Sequence, residues 1–161
     1  MKLPYLPFAL LTTLFAAGCG GPKPAGTAET PAASGPRVIE ITANDTMKYN
    51  VAAITAKPGE DLQVVLTNIG SAPVDVMGHN WTLLKAGADA NAFAQAASTH
   101  KDTGYMPPEL KGEVLAHIDL LGPRKSGDAT FKAPTAPGDY PYLCTFPAHY
   151  LAGMRGVLTV K

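Results

Sequence analysis

Short runs of alternating apolar and polar residues, separated by turn-forming residues, recur from residue 37 to the end of the chain. Alternation is typical of a strand with one buried face, and Gly and Pro between the runs mark the turns. The pattern predicts strands at residues 38–42, 52–56, 62–68, 81–84, 114–121, 129–133, 140–145 and 157–161. Eight short strands of this kind indicate an all-β domain, either a sandwich or a barrel.

One segment between the fourth and fifth predicted strands departs from this pattern. Residues 86–100 are rich in alanine and contain no β-branched residue before Thr99. This composition favours a helix of roughly ten residues with Asp89 as its N-cap. Pro107 and Pro108 then prevent the helix from continuing. We therefore predict a helical flap inserted into the all-β domain.

The first 18 residues have the pattern of an export signal. One lysine precedes an apolar stretch from Leu3 to Ala17, which is too short to span a bilayer comfortably. The stretch ends Ala16-Ala17-Gly18-Cys19, which resembles the lipobox of bacterial lipoproteins. We predict a lipoprotein signal peptide at 1–18 and lipidation of Cys19, which anchors the chain to a membrane. An ordinary secretory signal cut near Ala17 is the alternative.

Residues 19–36 follow the signal and are rich in Pro, Gly, Ala, Ser and Thr without apolar periodicity. Such a composition cannot bury a core and predicts a flexible linker. The folded domain is then expected at 37–161. This organisation places the domain at the bacterial cell envelope, on the periplasmic or outer face, tethered by lipid.

The overall charge is balanced, with 13 basic and 13 acidic residues. No basic patch is apparent in the sequence, so nucleic acid is not an expected partner.

A cluster of metal-ligand residue types lies near the C-terminus. Cys144, His149 and Met154 are spaced Cys-x4-His-x4-Met, and His79 lies far upstream in a Gly-His-Asn turn. Two imidazoles, one thiolate and a weak axial thioether form the ligand set of a type 1 copper site. Zinc accepts Cys and His but not readily a thioether, so Met154 favours copper. With Cys19 lipidated, Cys144 has no disulfide partner.

Structural roles for these residues are the alternative. Cys144 and Met154 could be buried core residues, and His79 and His149 could be structural histidines. His100 and His117 belong to no motif, and we expect them at the surface.

Four stretches, at residues 43–47, 76–81, 114–122 and 144–149, together with the closing Met-x-Gly-x-Leu-Thr, resemble the azurin and auracyanin branch of the cupredoxins. The resemblance covers nearly all of residues 38–161. It implies an eight-stranded Greek-key sandwich with a helical flap and one type 1 copper that alternates between Cu(I) and Cu(II).

The resemblance also implies roles for individual residues. The equatorial ligands would be His79, Cys144 and His149, with Met154 and the carbonyl oxygen of Gly78 on the two axial sides. Asn80 would tie the two ligand loops together. An apolar docking surface around His149, through which electrons leave, would comprise Met47, Val76, Met77, Phe146, Ala148 and Leu151.

The chain departs from azurins at several positions. Four residues separate His149 from Met154, as in auracyanin, whereas azurins have three. Ala148 replaces a ligand-loop glycine, and Asn68 occupies a position where some members carry histidine. Beyond Cys19 and Cys144 there are no cysteines for the azurin disulfide.

Among the functions that this ligand set permits, an electron carrier is expected, not an enzyme. Its partners would be redox proteins such as c-type cytochromes or copper and haem oxidoreductases. A periplasmic copper storage or delivery protein is the alternative. A copper enzyme domain of the nitrite reductase type would need a second copper site and a longer chain.

Overall fold

Two β-sheets face each other in the computed structural model, which describes residues 35–161. The predicted signal peptide at 1–18, the lipidation site Cys19 and most of the predicted linker lie outside the described residues.

The strands are β1 (Arg37–Asn44), β2 (Lys48–Tyr49), β3 (Ala53–Ala56), β4 (Asp61–Asn68), β5 (His79–Leu84), β6 (Val114–Leu121), β7 (Ser126–Lys132), β8 (Gly138–Leu143) and β9 (Arg155–Val160). The helices are α1 (Val74–Met77) and α2 (Ala90–Ala97), with short 3-10 helices at Lys101–Thr103 and Pro108–Glu113.

Each sheet mixes parallel and antiparallel pairs. The first sheet has the order β2-β1-β4-β7, and the second has the order β3-β9-β8-β5-β6. Strands β1 and β4 are parallel, as are β3 and β9, while the other pairs are antiparallel. Because β5, β8 and β9 are neighbours in one sheet, the segments that carry the candidate ligands come together at one end of the sandwich.

Alternation along the strands builds the core between the sheets. On β4, the side chains of Leu62, Val64 and Leu66 are fully buried, whereas the residues between them are partly exposed. Burying one such side chain contributes about 1.5–3 kcal/mol. The apolar face of this strand therefore fixes its register against the opposite sheet.

Strand β5 is buried along its whole length because the flap covers its outer face. Helix α2 contributes Phe93 to a small cluster with Leu84 and Leu143. The side chain of Asp89 accepts hydrogen bonds from the N–H groups of Asn91 and Ala92, each 3.0 Å long, and so caps the helix. The predicted N-cap is confirmed, and the helix has eight residues.

The all-β prediction with a helical flap is confirmed, and the differences are local. Strand β2 and helix α1 were not predicted because two and four residues are too short to show a periodicity. Strand β7 begins at Ser126, three residues before the predicted start, since Ser126-Gly127-Asp128 carries no apolar signal. Within residues 35–161, no helix has both the length and the apolar character to cross a bilayer.

Candidate metal centre

Three potential ligands from distant parts of the sequence meet at one end of the sandwich. One ligand atom from each of His79, Cys144 and His149 lies within 4.8 Å of the others. The Sγ atom of Cys144 is 3.3 Å from Nδ1 of His149. All three residues are buried, with at most 1% of their surface exposed. Two imidazoles and one sulfur are therefore positioned to bind a single ion.

His79 is positioned by a tight junction between α1 and β5. It is the first residue of β5, and Gly78 precedes it. A Cβ atom on Gly78 would lie 2.7 Å from the carbonyl oxygen of Val74 and 2.9 Å from the side chain of Leu120. Only glycine fits this junction without displacing its neighbours, so Gly78 allows the close approach that turns the chain into β5.

The other donors lie on the segment between β8 and β9, residues 144–154, which we call the ligand loop. The backbone N–H of Cys144 donates to the carbonyl of Met154 (3.1 Å), and that of Met154 donates to the carbonyl of His149 (2.9 Å). The N–H of His149 donates to the carbonyl of Phe146 (3.1 Å). These bonds fold the loop so that its two ends are adjacent, and the Met154 side chain is fully buried there.

Asn80 joins the strand that carries His79 to the ligand loop. Its side-chain Nδ2 donates to Oγ1 of Thr145 (2.6 Å), and its Oδ1 accepts from the N–H of Thr145 (2.8 Å). Both residues are buried. Because Thr145 follows Cys144 directly, this pair of bonds fixes the separation between two of the candidate ligands.

The donor set fits a metal ion better than it fits a closed polar core. Neither ring nitrogen of His79 has a hydrogen-bond partner among the described residues, although both are buried. A buried polar atom without a partner costs about 1–3 kcal/mol. Coordination would satisfy one of these nitrogens, so the orphaned imidazole is an observation that favours a metal at this position.

Burial also sets the protonation of the metal-free site. It raises the pKa of the Cys144 thiol to about 12 and lowers that of His79. Burial, together with the neighbouring His79, lowers the pKa of His149 to about 4. At neutral pH both imidazoles are therefore neutral and ready to coordinate, whereas Cys144 must release a proton to bind as a thiolate.

We expect the metal-free protein to lose stability as the pH falls from about 6.5 towards 4. Unfolded His149 takes up a proton near its usual pKa of 6.5, but the folded residue does so only near 4. Proton binding therefore favours the unfolded state between about pH 6.5 and 4. Above about pH 6.5, His149 is neutral in both states, and this loss of stability is absent. Urea unfolding of the metal-free protein across the window measures the effect. His149→Gln should have a shallower pH dependence, and equal slopes for both proteins would contradict this account.

The residues of the expected docking surface do not all lie at the surface. Val76 is 61% exposed and Leu151 is 75% exposed. Ala148 is also exposed, and Met47 and Met77 are partly exposed.

Phe146 is buried instead. Its ring centroid lies 4.7 Å from that of His149 and 4.9 Å from that of Tyr105. His149 itself is 1% exposed, so the expected exposed imidazole edge lies just below the surface. The packing of the Phe146 ring against the imidazole, at an interplanar angle of 35°, contributes to this burial.

Ala148 has an unusual backbone conformation. Its φ is +69°, in the left-handed region that glycine tolerates and other residues rarely adopt. The turn that presents His149 therefore retains the backbone geometry of a glycine position although an alanine occupies it. The Ala148 carbonyl accepts from the N–H of Ala152 (2.9 Å), which closes the turn.

The two remaining histidines stay away from this cluster. Nε2 of His100 lies 3.4 Å from a carboxylate oxygen of Glu109 in the flap, and Nε2 of His117 lies 3.5 Å from one of Asp119 on β6. Within residues 35–161, the group of His79, Cys144 and His149 is the only one of three or more His, Cys, Asp or Glu side chains with ligand atoms this close.

Sequence reasoning missed three residues that support the cluster. Thr145 completes the pair of hydrogen bonds to Asn80. Lys48 and Tyr49 also contact the ligand-bearing segments through their side chains. For Thr145, its position next to Cys144 was a signal that the sequence offered. Lys48 and Tyr49 gave no such signal, because their contacts form only when β2 joins the sheet.

Comparison with known proteins agrees with this geometry. Residues 37–161 match the model of the family described as copper binding proteins, plastocyanin/azurin family. The chain is similar to auracyanin-B of Chloroflexus aurantiacus, with 37% identity over 134 residues; the match covers 82% of this chain but only 54% of auracyanin-B, about half its length. It is 35% identical over 126 residues to azurin of Pseudomonas aeruginosa, covering 76% of this chain and 84% of that one.

Among solved structures, reduced auracyanin from the photosynthetic bacterium Roseiflexus castenholzii superposes with a TM-score of 0.69 at 33% identity. The superposition covers 79% of this chain and 98% of that chain.

Proposed function

The chain belongs to the plastocyanin/azurin family of copper-binding proteins, and from this premise we propose that it carries single electrons between redox partners at the cell envelope. The protein is a blue copper protein with one type 1 copper as its cofactor. Copper supplies a one-electron couple between Cu(I) and Cu(II). The observation that carries the proposal is the buried group of two imidazoles and one sulfur beneath an apolar surface.

We assign the ligands from this arrangement. His79, Cys144 and His149 would bind the copper through two imidazoles and one thiolate, and the Met154 thioether and the Gly78 carbonyl would be its weaker donors. Hydrogen bonds between Cys144, His149 and Met154 fold the loop, and Asn80 fixes it to β5. A site held in this way changes little when one electron arrives, which favours fast transfer.

The burial of the donors also argues against the alternative functions. Storage or delivery of copper requires release, and a site with at most 1% exposure at each donor is poorly suited to that. Substrate chemistry requires an open coordination position that a substrate can reach, and the burial of all four side-chain donors argues against such access.

Electrons are proposed to leave through the apolar surface over His149. Val76 and Leu151 are its most exposed members, and the exposed Ala148 directly precedes the buried His149. Ala148 and Leu151 also line a pocket of about 190 Å³ whose other wall is formed by α2. A redox partner, such as a c-type cytochrome or a copper or haem oxidoreductase, would approach the buried imidazole across this surface.

A charge placed on this surface should slow electron self-exchange. In Val76→Lys, two copies that dock surface to surface repel each other, because Val76 is 61% exposed. We expect the self-exchange rate at low salt to fall about fivefold, since two unit charges 4 Å apart repel by about 1 kcal/mol in water. High salt should restore much of the rate. The self-exchange rate is measured from line broadening in nuclear magnetic resonance spectra of mixed Cu(I) and Cu(II) protein.

The matched control is Val38→Lys, which introduces the same charge at a residue that is 52% exposed. Val38 lies near the start of β1, at the end of the strand away from β2. The control should exchange electrons as the wild type does. If both variants behave alike at each salt concentration, electrons leave elsewhere.

Anchoring at the envelope is proposed from the sequence Ala16-Ala17-Gly18-Cys19. Labelled fatty acid fed to bacteria that express the full chain should enter the wild-type protein. It should not enter Cys19→Ala, because no thiol then remains at the cleavage site. Cys144→Ser serves as the control and should be labelled normally. Equal labelling of wild type and Cys19→Ala, or no labelling of either, would reject the anchor.

A further inference from the structure

We propose that the two-residue strand β2 clamps the copper site, with Lys48 positioning the ligand loop and Tyr49 positioning the strand that carries His79. The inference rests on the proposed copper function, and it assigns positioning roles to two residues outside the ligand set. The side-chain hydrogen bonds of both residues go to backbone carbonyls, those of Ala152 and Asn80, and not to the proposed ligands.

Lys48 contacts the ligand loop immediately before Met154. Its ammonium group donates a hydrogen bond to the carbonyl of Ala152. Gly153 has a φ of +95°, and a Cβ atom there would lie 2.5 Å from the Lys48 Nζ atom. The loop therefore passes so close to the ammonium that a Cβ on residue 153 would displace it, and the positive φ independently favours glycine there.

This contact supports a stretch of the loop that otherwise bonds only to itself. The N–H groups of Ala152 and Gly153 donate to carbonyls within the loop, those of Ala148 and Tyr150. The side chain of Leu151 is 75% exposed and adds little packing. The hydrogen bond from Lys48 is thus what ties the outer turn of the loop, and through it Met154, to the first sheet.

Tyr49 makes the corresponding contact with β5. It is 8% exposed, and its hydroxyl donates to the backbone carbonyl of Asn80, the residue after His79. Its ring packs against Tyr142, with 5.9 Å between centroids, and the Tyr142 hydroxyl donates to the carbonyl of Val51 (2.8 Å). The rings and hydroxyls leave the Asn80 carbonyl little freedom to move.

The two contacts come from adjacent residues, and β2 is itself fixed to β1. Tyr49 pairs with Ala43 and Lys48 pairs with Asn44. Because side chains alternate along a strand, one residue reaches the buried β5 while its neighbour reaches the exposed loop. A single short strand thereby holds both ligand-bearing segments at a fixed separation. The Lys48 cation also lies beside the loop, where it favours the less positive Cu(I) state of the site.

The test compares Lys48→Met, Lys48→Arg and Tyr49→Phe with the wild type. Lys48→Met should shift the relative intensities of the visible charge-transfer bands, lower the reduction potential and release copper about tenfold faster, in line with the loss of a supporting partner of a metal ligand. Lys48→Arg retains the donor and the charge and should restore all three values. Tyr49→Phe should speed copper release and shift the bands while leaving the potential less affected, because no charge is removed.

Lys57→Met is the matched control. Lys57 follows β3 at the end where Ala56 pairs with Val160, away from Arg155 and the ligand loop. Lys57→Met removes one exposed cation but leaves the contacts of Lys48 and Tyr49 intact. This variant should match the wild type in spectrum and copper release. A decrease in potential equal to that of Lys48→Met would mean that general charge, not position, explains the effect and would overturn the role of Lys48.

Amide hydrogen exchange of the metal-free proteins provides a readout that needs no copper. The N–H groups of Gly153 and Met154 should exchange about tenfold faster in Lys48→Met, because a charge-assisted hydrogen bond no longer holds the loop. If the wild type shows no blue copper spectrum, the proposed function fails whatever these variants do. If the wild type is blue and Lys48→Met matches it in amide hydrogen exchange, spectrum and copper release, the proposed role of Lys48 is wrong. The proposed electron-transfer function is then unaffected.

Discussion

Replacing Cys144 by serine is expected to abolish the intense visible absorption of the copper-loaded protein and to weaken copper binding by more than about 100-fold. The absorption arises from thiolate-to-copper charge transfer, and Cys144 is the only cysteine in the described domain. Loss of a supporting residue alone costs about 10–100-fold in metal affinity, so loss of a ligand must cost more. Visible spectra and a copper titration with a competing chelator measure the two effects.

Cys144→Ser should still fold, because its backbone bond to Met154 remains and serine is no larger than cysteine. Cys19→Ala is the control, since it removes the other cysteine of the chain and should retain the full absorption. An unchanged band in Cys144→Ser would show that this sulfur is not a ligand.

Replacing Asn80 by leucine should have the second largest effect, on stability and on the copper site together. The substitution removes both hydrogen bonds to Thr145 and leaves the buried N–H and hydroxyl of that residue without a partner. Each of the two unsatisfied groups costs about 1–3 kcal/mol, so the free energy of unfolding should fall by about 2–6 kcal/mol. Copper affinity should fall about 10–100-fold, because the segments that carry His79 and Cys144 are no longer joined.

Asn68→Leu separates a general loss of stability from an effect on the site. Asn68 is equally buried, and its side chain also makes two hydrogen bonds, to the carbonyl of Leu121 and from the N–H of Gly70. Urea unfolding should show comparable destabilisation in the two variants. Only Asn80→Leu should alter the copper spectrum and affinity; equal changes in both would mean that Asn80 has no special connection to the ligands.

The sequence carried enough information to predict the fold class because most strands are long enough to alternate. On β4, the buried residues Leu62, Val64 and Leu66 alternate with more exposed ones, and the pattern predicts both the strand and its inward face. Strand β2 has two residues, so no periodicity exists to detect, and its pairing with β1 depends on the finished sheet. Helix α2 was predictable because its N-cap depends only on neighbouring residues: the Asp89 side chain accepts hydrogen bonds from Asn91 and Ala92.

The candidate ligands were predictable for a different reason. Three of them lie within eleven residues of one another, so their spacing is visible in the sequence. The proximity of His79 to Cys144 depends on the tertiary fold, and only the resemblance to cupredoxins predicted it.

The burial of residues at the expected docking surface could not be predicted from the sequence. Nothing in the sequence of the ligand loop indicates that Phe146 turns inward to pack against His149, or that His149 is buried. The positive φ of Ala148 was likewise hidden, because alanine gives no local sign of a left-handed conformation. These features depend on how the loop packs against Tyr105 and the flap, which only the folded chain specifies.

Reductive titration of the copper-loaded protein, followed by visible absorption, tests the central claim most directly. Two neutral imidazoles, one thiolate and a buried thioether predict an intense band in the Cu(II) state that disappears with one electron per copper and returns fully on oxidation. The ligands remain in place through the cycle, so repeated cycles should not release copper. A protein without the intense band, or one that loses its copper on the first reduction, would contradict the assignment of an electron carrier.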